Sequence, residues 1–329
     1  MKTIALVGPY TQDVRKAMDE MAPDGFSLID LPTPDDYSKL EEADYVIIRT
    51  IKLSGGDLAK AKKLKLIHKW GVGYEMIDLE GVSALGIPVA VCYGMNATPV
   101  AEMALLHILA LYRNLIVINN LLKNNVWAKD EYSGKAYTIS GKTVGLIGAG
   151  SIGRKVAAMV QAFGASVQYY DLYRLPPEKE LQAGLTYVQL ERLLATSDIV
   201  SLHVPLTEQT QNLIDEKALS LMKPTAILVN TSRGAIVDEQ ALARALRNKT
   251  IMGAGLDVFS QEPPGENCPF YGMENVVITP HTGGNTADNA VNMLRFCYDN
   301  IVAFDRGNKL SRNVIVNNHL LKNKLELED

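Results

Sequence analysis

One stretch constrains this chain more than any other: residues 142–171, KTVGLIGAGSIGRKVAAMVQAFGASVQYYD. It opens with an apolar run from Thr143 to Ile147 and turns through Gly148-Ala149-Gly150-Ser151-Ile152-Gly153. Beyond the turn, Ile152, Val156, Met159, Val160 and Phe163 recur at helix spacing, and Gly164 stops the helix. A second apolar run, Val167 to Tyr170, ends on Asp171. That acid stands about 20 residues past the glycines, where a βαβ dinucleotide unit places it. Each piece has a physical reason. Gly148 permits the tight turn, Gly150 lets backbone approach a pyrophosphate, and Gly153 lets helix and strand pack closely. Ser151 and Ile152 open a helix whose free N–H groups and positive dipole end face the phosphates. Asp171 accepts hydrogen bonds from the adenosine ribose hydroxyls and repels a 2′-phosphate, so NAD is favoured over NADP.

The rest of the composition narrows the class. A length of 329 residues is too great for one ordinary core, which makes two domains the natural expectation. The net charge of −4 and the lack of a basic run argue against nucleic acid as a partner. Cys92, Cys268 and Cys297 are scattered and odd in number, with no CxxC pair. No disulfide framework and no zinc spacing follow, so no metal site is expected and a reducing cytoplasm fits. The opening MKTIALVGPY is interrupted by Gly8-Pro9 too early for a signal peptide and reads as a first strand. No apolar run approaches the roughly 20 residues of a bilayer span, so no membrane partner is expected.

From the N-terminus, strands are expected at 3–7, 45–48, 64–67 and 89–91, and helices near 11–21, 54–63 and 79–85. Such alternation implies an α/β fold with parallel sheets covered on both faces. Ligands of these sheets sit beyond the carboxyl ends of the strands. One such loop carries Gly71-Val72-Gly73, whose N–H groups could converge on a small anion. Thr98-Pro99 then starts an expected long helix, AEMALLHILALYRNLIVINNLL, apolar on nearly every face and so deeply buried. It reads as a spine between domains, and His107 within it as a core or interface histidine. After Asp171, strands at 199–202, 226–230, 251–256 and 276–279 end in His203-Val204-Pro205, Thr231-Ser232-Arg233, Asp257 and Pro280-His281. Asp238 caps an intervening helix, a closing helix runs over 287–304, and the charged tail LLKNKLELED is expected to fray.

Arg233, Glu262 and His281 stand out as ionisable groups on separate strand-end loops. A hydride leaves a secondary alcohol only if the O–H proton leaves too, and histidine suits that transfer near neutral pH. A carboxylate bonded to the imidazole orients it and favours its charged form. Arginine offers a planar fork that binds a carboxylate in two contacts and polarises an adjacent carbonyl.

With these residues the chain resembles the D-isomer-specific 2-hydroxyacid dehydrogenases. The motifs run in order along nearly the whole length: GVGYEMID, GIPV, GKTVGLIGAGSIG, SDIVSLHVPLT, LVNTSRGAIVDEQAL, GAGLDVFSQEP and TPHTGG, which ends on Gly284. The resemblance implies Arg233, Glu262 and His281 as the catalytic residues. It implies Val72 and Gly73 N–H groups on the substrate carboxylate, Thr231 and Asp257 at the nicotinamide, and His203, Pro205 and Gly284 along the cofactor. It also implies two Rossmann-like domains, with an NAD-binding Rossmann domain (98–285) inserted in a flavodoxin-like substrate domain (1–97 plus 286–329), and a homodimer. The expected reaction is hydride exchange between NAD and a D-2-hydroxy acid or its 2-oxo acid. No extra C-terminal regulatory domain of the kind some phosphoglycerate dehydrogenases carry is expected. Glu75-Met76 replace the Asp-Asn usual after the glycine loop, and Arg49, Lys52 and Lys69 raise the expectation of a substrate with a second anionic group. Two other readings carry different expectations. An NAD-sensing scaffold of the corepressor kind would not turn NADH over. An adenosine-cofactor methyltransferase would retain S-adenosylmethionine and would have no use for the trio.

Overall fold

A computed structural model of the chain describes residues 1–328. It divides into two compact units, Met1–Asn96 with Asn285–Asp329, and Ala97–Gly284.

In the first unit, β1 (Lys2–Val7), β2 (Phe26–Leu31), β3 (Tyr45–Ile48), β4 (Leu66–Lys69) and β5 (Val89–Val91) form one sheet in the order β2-β1-β3-β4-β5. Every pairing is parallel, and the order is that of flavodoxin-like sheets. Helices α1 (Gln12–Glu20) and α2 (Leu79–Ala84) and a 3₁₀ segment, Pro34–Glu42, make the crossovers. β3 and β4 are buried at every position, as strands covered on both faces must be. Residues 54–63, expected as a helix, instead form successive turns. Ser54 N–H and Oγ both donate to Asp57, a local alternative to helical bonding. Gly55 also lies so close to the Gly81 backbone that a Cβ there would sit 2.6 Å from a main-chain carbon.

The second unit holds seven strands: β6 (Thr143–Ile147), β7 (Ser166–Tyr170), β8 (Leu185–Tyr187), β9 (Ile199–Leu202), β10 (Ile227–Asn230), β11 (Gly253–Leu256) and β12 (Val276–Ile278). Their order is β12-β11-β10-β9-β6-β7-β8, all parallel. The chain runs outward through β7 and β8 and then returns to place β9 on the other side of β6. That reversal opens a crevice between β6 and β9, the switch point at which doubly wound sheets bind ligands. Helices α3 (Ala97–Tyr112), α4 (Leu115–Lys123), α5 (Ser151–Ala162), α6 (Pro177–Ala183), α7 (Leu190–Thr196), α8 (Glu216–Leu221) and α9 (Glu239–Arg247) cover the sheet.

The expected single buried helix after Thr98 is two helices. α3 starts one residue earlier, at Ala97, so Thr98 lies inside it. Asn114, in the left-handed region at φ 49°, ends it and starts α4 at an angle of 62°. α4 buries none of its residues, and Leu115, Ile116 and Leu122 are about half exposed. Among the described residues no single helix is long and apolar enough to cross a membrane.

The chain then re-enters the first unit as α10 (Ala287–Asp305). Its Asp305 pairs with Lys2 and accepts from Tyr45 Oη. Beyond it, residues 314–316 lie antiparallel along β5, with Val91 N–H on Val314 O and Val316 N–H on Val89 O. Fully buried Asn317 accepts from Val89 N–H and donates to Ser83 Oγ and Ile87 O. The edge of the sheet is thereby covered. As far as Glu328 the tail is held rather than frayed: Leu325 and Leu327 pack on the core, and Glu328 N–H donates to Leu310 O.

Candidate active site

The glycine turn between β6 and α5 shows why each glycine stands where it does. At Gly148, φ is 100° and a Cβ would lie 2.6 Å from His203 O, so the β6 and β9 ends touch backbone to backbone. A Cβ on Gly153 would meet Gly148 O at 2.2 Å. Nothing lies within 4 Å of where a Cβ of Gly150 would point, which leaves room for a phosphate group. The N–H groups of Gly150, Ser151, Ile152 and Gly153 have no acceptor among the described residues. A helix start of this kind is an anion site.

Asp171, at the end of β7, accepts from Ala149 N–H at 2.8 Å and from Tyr173 N–H at 3.1 Å. These bonds aim the carboxylate at the turn. Arg174, the nearby cation that could neutralise a 2′-phosphate, is engaged elsewhere. It forks onto Glu180 at 2.8 and 3.0 Å and lies over the Tyr187 ring. The hydrogen bonds from Arg174 and Tyr169 hold the Glu180 carboxyl down at about 2. NADP is therefore expected to bind worse than NAD by ~1–3 kcal/mol, roughly ten- to a hundredfold. Equal kcat/KM for NADH and NADPH would contradict this.

His203 and Pro205 follow β9. Burial pushes His203 down to about 4, so the ring is neutral at physiological pH. Its Nε2 meets Ser201 Oγ at 2.9 Å, while the buried Nδ1 has no partner among the described residues. Thr231, after β10, likewise buries an unpartnered Oγ1. Unsatisfied buried polar atoms of this kind call for a ligand. Together with the open glycine turn they fit a dinucleotide.

Three adjacent strands, β10, β11 and β12, end in the loops of the trio. After β10, buried Asn230 accepts from Ser232 N–H and Oγ–H and donates to Arg233 O, which fixes the turn carrying Arg233. Gly234 then packs directly on the Phe259–Ser260 backbone. After β11, Glu262 turns back so that one carboxylate oxygen accepts from Phe259 N–H at 3.0 Å and the other meets His281 Nδ1 at 2.7 Å. Burial alone would raise the Glu262 carboxyl. The bonds from His281 and Phe259, with the charges of His281 and Arg233, outweigh it and hold the group below its ordinary value. After β12, His281 sits at φ 51°, a left-handed conformation uncommon outside glycine. Its N–H donates to Asp257 O at 2.7 Å.

Asp257 is 1% exposed and spends both carboxylate oxygens on the loop of His281. They accept from Thr279 Oγ1 (2.5 Å), Thr282 N–H (2.9 Å) and Gly283 N–H (2.8 Å). Behind Thr279 stands His107 of α3, whose Nε2–H reaches Thr279 Oγ1 at 3.0 Å. Burial lowers its basicity, and Gly255 makes the room: a Cβ there would lie 2.7 Å from the ring. Sequence reading missed Asn230, Thr279, Glu239 (which accepts from Ser260 N–H) and the second role of His107. Only the position of Asn230, Glu239 and Thr279 inside motif segments hinted at them. Gly284 is the last residue of this unit.

In the first unit, Gly71 follows β4 at φ 118°. The N–H groups of Val72 and Gly73 have no acceptor among the described residues. Lys69 does not offer its charge nearby: it is 8% exposed, and Nζ donates to Arg49 O (2.6 Å) and Trp70 O (3.0 Å). Burial lowers it to about 8. Arg49 Nη1 donates to Pro9 O, and Lys52 is exposed.

Comparison with known proteins accords with this geometry. Residues 105–283 match the family described as "D-isomer specific 2-hydroxyacid dehydrogenase, NAD binding domain". The glyoxylate reductase of Thermococcus litoralis is 40% identical over 275 residues, 82% of either chain. The chain belongs to the D-isomer specific 2-hydroxyacid dehydrogenases. A D-3-phosphoglycerate dehydrogenase of Mycobacterium leprae is also 40% identical, over 75% of this chain but 46% of its own. The solved NAD-complexed 2-hydroxyacid dehydrogenase of Lactobacillus delbrueckii superposes with a TM-score of 0.79 at 26% identity, covering 96% of this chain and 100% of that one. As a family member the protein is an NAD-dependent oxidoreductase of 2-hydroxy and 2-oxo acids, built on a parallel α/β fold with a Rossmann NAD-binding domain.

Proposed function

We propose that this dehydrogenase reduces a short, monoanionic 2-oxo acid, with His281 as proton donor and Glu262 as its partner. The carrying observation is the His281–Glu262 bond of 2.7 Å beside the Arg233 loop. Bound NADH supplies the hydride. The second unit would hold NAD through the Gly148–Gly153 turn, Asp171, His203, Pro205, Thr231 and Gly284. Asp257 contributes by holding the loop of His281. In the first unit, the Val72 and Gly73 N–H groups take the substrate carboxylate. Arg233 pairs with that carboxylate and draws electron density from the adjacent carbonyl. His281 then protonates the forming alkoxide, and in the reverse direction removes the alcohol proton.

The monoanionic assignment rests on Lys69, whose ammonium is already bonded to two carbonyls. The test is a panel of 2-oxo acids with NADH. Glyoxylate or pyruvate is expected to exceed every dianionic 2-oxo acid in kcat/KM; the opposite order would overturn the assignment. The same reading includes a homodimer and a reducing cytoplasmic setting. Half-exposed Leu115, Ile116, Leu122 and Val126 and the largely exposed Trp127 support the first; free Cys92, Cys268 and Cys297 support the second. Light scattering on eluting protein should give twice the 36.0 kDa chain mass, and a single-chain mass at micromolar concentration would exclude the dimer.

A further inference from the structure

We propose that His68, Cys92 and Cys297, completed by the backbone carbonyl of Lys69, form an interior binding site for a thiophilic divalent cation of the zinc type. The three side chains come from β4, the residue after β5, and α10, and each is 0% exposed. Their ligand atoms all lie within 4.8 Å of one another. Cys92 Sγ is 3.5 Å from Cys297 Sγ, and Cys297 Sγ is 3.3 Å from His68 Nδ1. Lys69 O is 3.5 Å from Cys92 Sγ and 3.2 Å from His68 Nδ1.

These separations are those of a coordination polyhedron. Bonds of ~2.3 Å to sulfur and ~2.0–2.1 Å to nitrogen or oxygen give tetrahedral edges of roughly 3.3–3.8 Å. Four of the six edges are therefore already within about 0.2 Å of that range before any ion enters. The charge balances as well. Two thiols lose their protons to solvent, and two thiolates neutralise the divalent ion, so the buried complex carries no net charge.

The outer shell needs one amide rotation. His68 Nε2 lies 3.1 Å from Asn300 Nδ2, and a half-turn of that amide brings Oδ1 to the ring nitrogen instead. With the amide oxygen turned to the ring, Nε2 carries the proton and Nδ1 is left with its lone pair toward the sulfurs. That is how ligating histidines are oriented. The ring edge of Phe296 and the apolar cluster around Trp70 and Met293 exclude water. A disulfide would use only two of the four donors and leave His68 and the carbonyl without a part. None of the three side chains has a role in hydride or proton transfer, so the site is separate from the chemistry. It does adjoin it in sequence: His68 and Lys69 precede Gly71, and Cys92 N–H donates to Gly71 O at 2.8 Å.

The experiment uses the full chain, reduced and stripped with a chelator. Zn²⁺ is titrated in competition with a chromophoric chelator, and Co²⁺ serves as the spectroscopic probe. The expected result is about one ion per chain, a tetrahedral cobalt spectrum with a thiolate charge-transfer band, and a higher unfolding temperature with zinc. Cys92→Ser and Cys297→Ser should lose the band. Asn300→Ala keeps every ligand and should weaken affinity ~10–100-fold, which keeps the test decisive if a cysteine variant fails to fold. Absence of stoichiometric binding, an octahedral cobalt spectrum without the thiolate band, or unchanged affinity in both serine variants would overturn the proposal. So would a chain that resists zinc after reduction but loses two hydrogens in air through a Cys92–Cys297 disulfide.

Discussion

Replacing His281 by alanine is expected to slow 2-oxo acid reduction by ~10²–10⁴-fold while NADH still binds. The imidazole is the group placed to give up a proton, with its Nδ1 bonded to the Glu262 carboxylate. Its partner should reveal itself through pH. The bonds from His281 and Phe259 hold the Glu262 carboxyl below its ordinary value, so the pairing persists above that lowered value and is lost only as pH falls through it. Glu262→Gln has no carboxyl to protonate. The acid limb of kcat/KM for reduction that Glu262 sets should therefore disappear and the plateau drop, with NADH affinity nearly unchanged. A profile that stays where it was would mean that another carboxylate serves His281.

Gly234→Ala is the second substitution with a large expected effect, although Gly234 touches no reacting atom. A Cβ there would lie 1.9 Å from Phe259 C, 2.2 Å from Ser260 N and 2.3 Å from Phe259 O. These are main-chain atoms, so no rotamer change relieves the clash and one of the two loops must move. One carries Arg233; the other carries Glu262, anchored by Phe259 N–H. Overpacking of this kind costs about 1–3 kcal/mol, and a misplacement near 1 Å costs on the order of 10²-fold in rate. The variant should melt earlier and lose at least that factor in kcat/KM. Gly265→Ala is the control on the neighbouring stretch, since nothing lies within 4 Å of its added carbon. Equal activity of the two variants would show that the loops are not positioned through Gly234.

The chemistry of the second unit was legible because its signals are local. β6, the glycine turn, α5, β7 and Asp171 follow one another without interruption, so period and spacing report them directly. Arg233, Glu262 and His281 could be picked out because each lies on a loop that follows a strand. What escaped lies in contacts across sequence. His68, Cys92 and Cys297 are separated by as many as 229 positions, so no spacing rule joins them. His107 reads as a core residue on α3, and only the fold brings Thr279 to it. β2 escaped because its residues are mostly half-buried and lack a continuous apolar run. The expected helix at 54–63 failed for the opposite reason: its periodicity is adequate, but Gly55-Gly56 and the Ser54–Asp57 bonds favour turns. The helix after Thr98 shows that apolar content alone does not report burial. Asn114 redirects the chain, and an equally apolar α4 stays at the surface.

The strip of chain along β5 has a consequence for the order of assembly. Val89 is joined to Asn317 across 228 positions, and most of the intervening chain belongs to the second unit. Closing so long a loop from a disordered chain costs about 5 kcal/mol in entropy by the logarithmic rule, apart from a constant. Once the intervening unit has folded, most of those residues are no longer free and the effective loop is far shorter. Synthesis reaches the residues that flank β5 only after the whole second unit has been made. The later-made unit thus folds from an unbroken segment, and the first-made unit waits with one edge uncovered for the chain to come back.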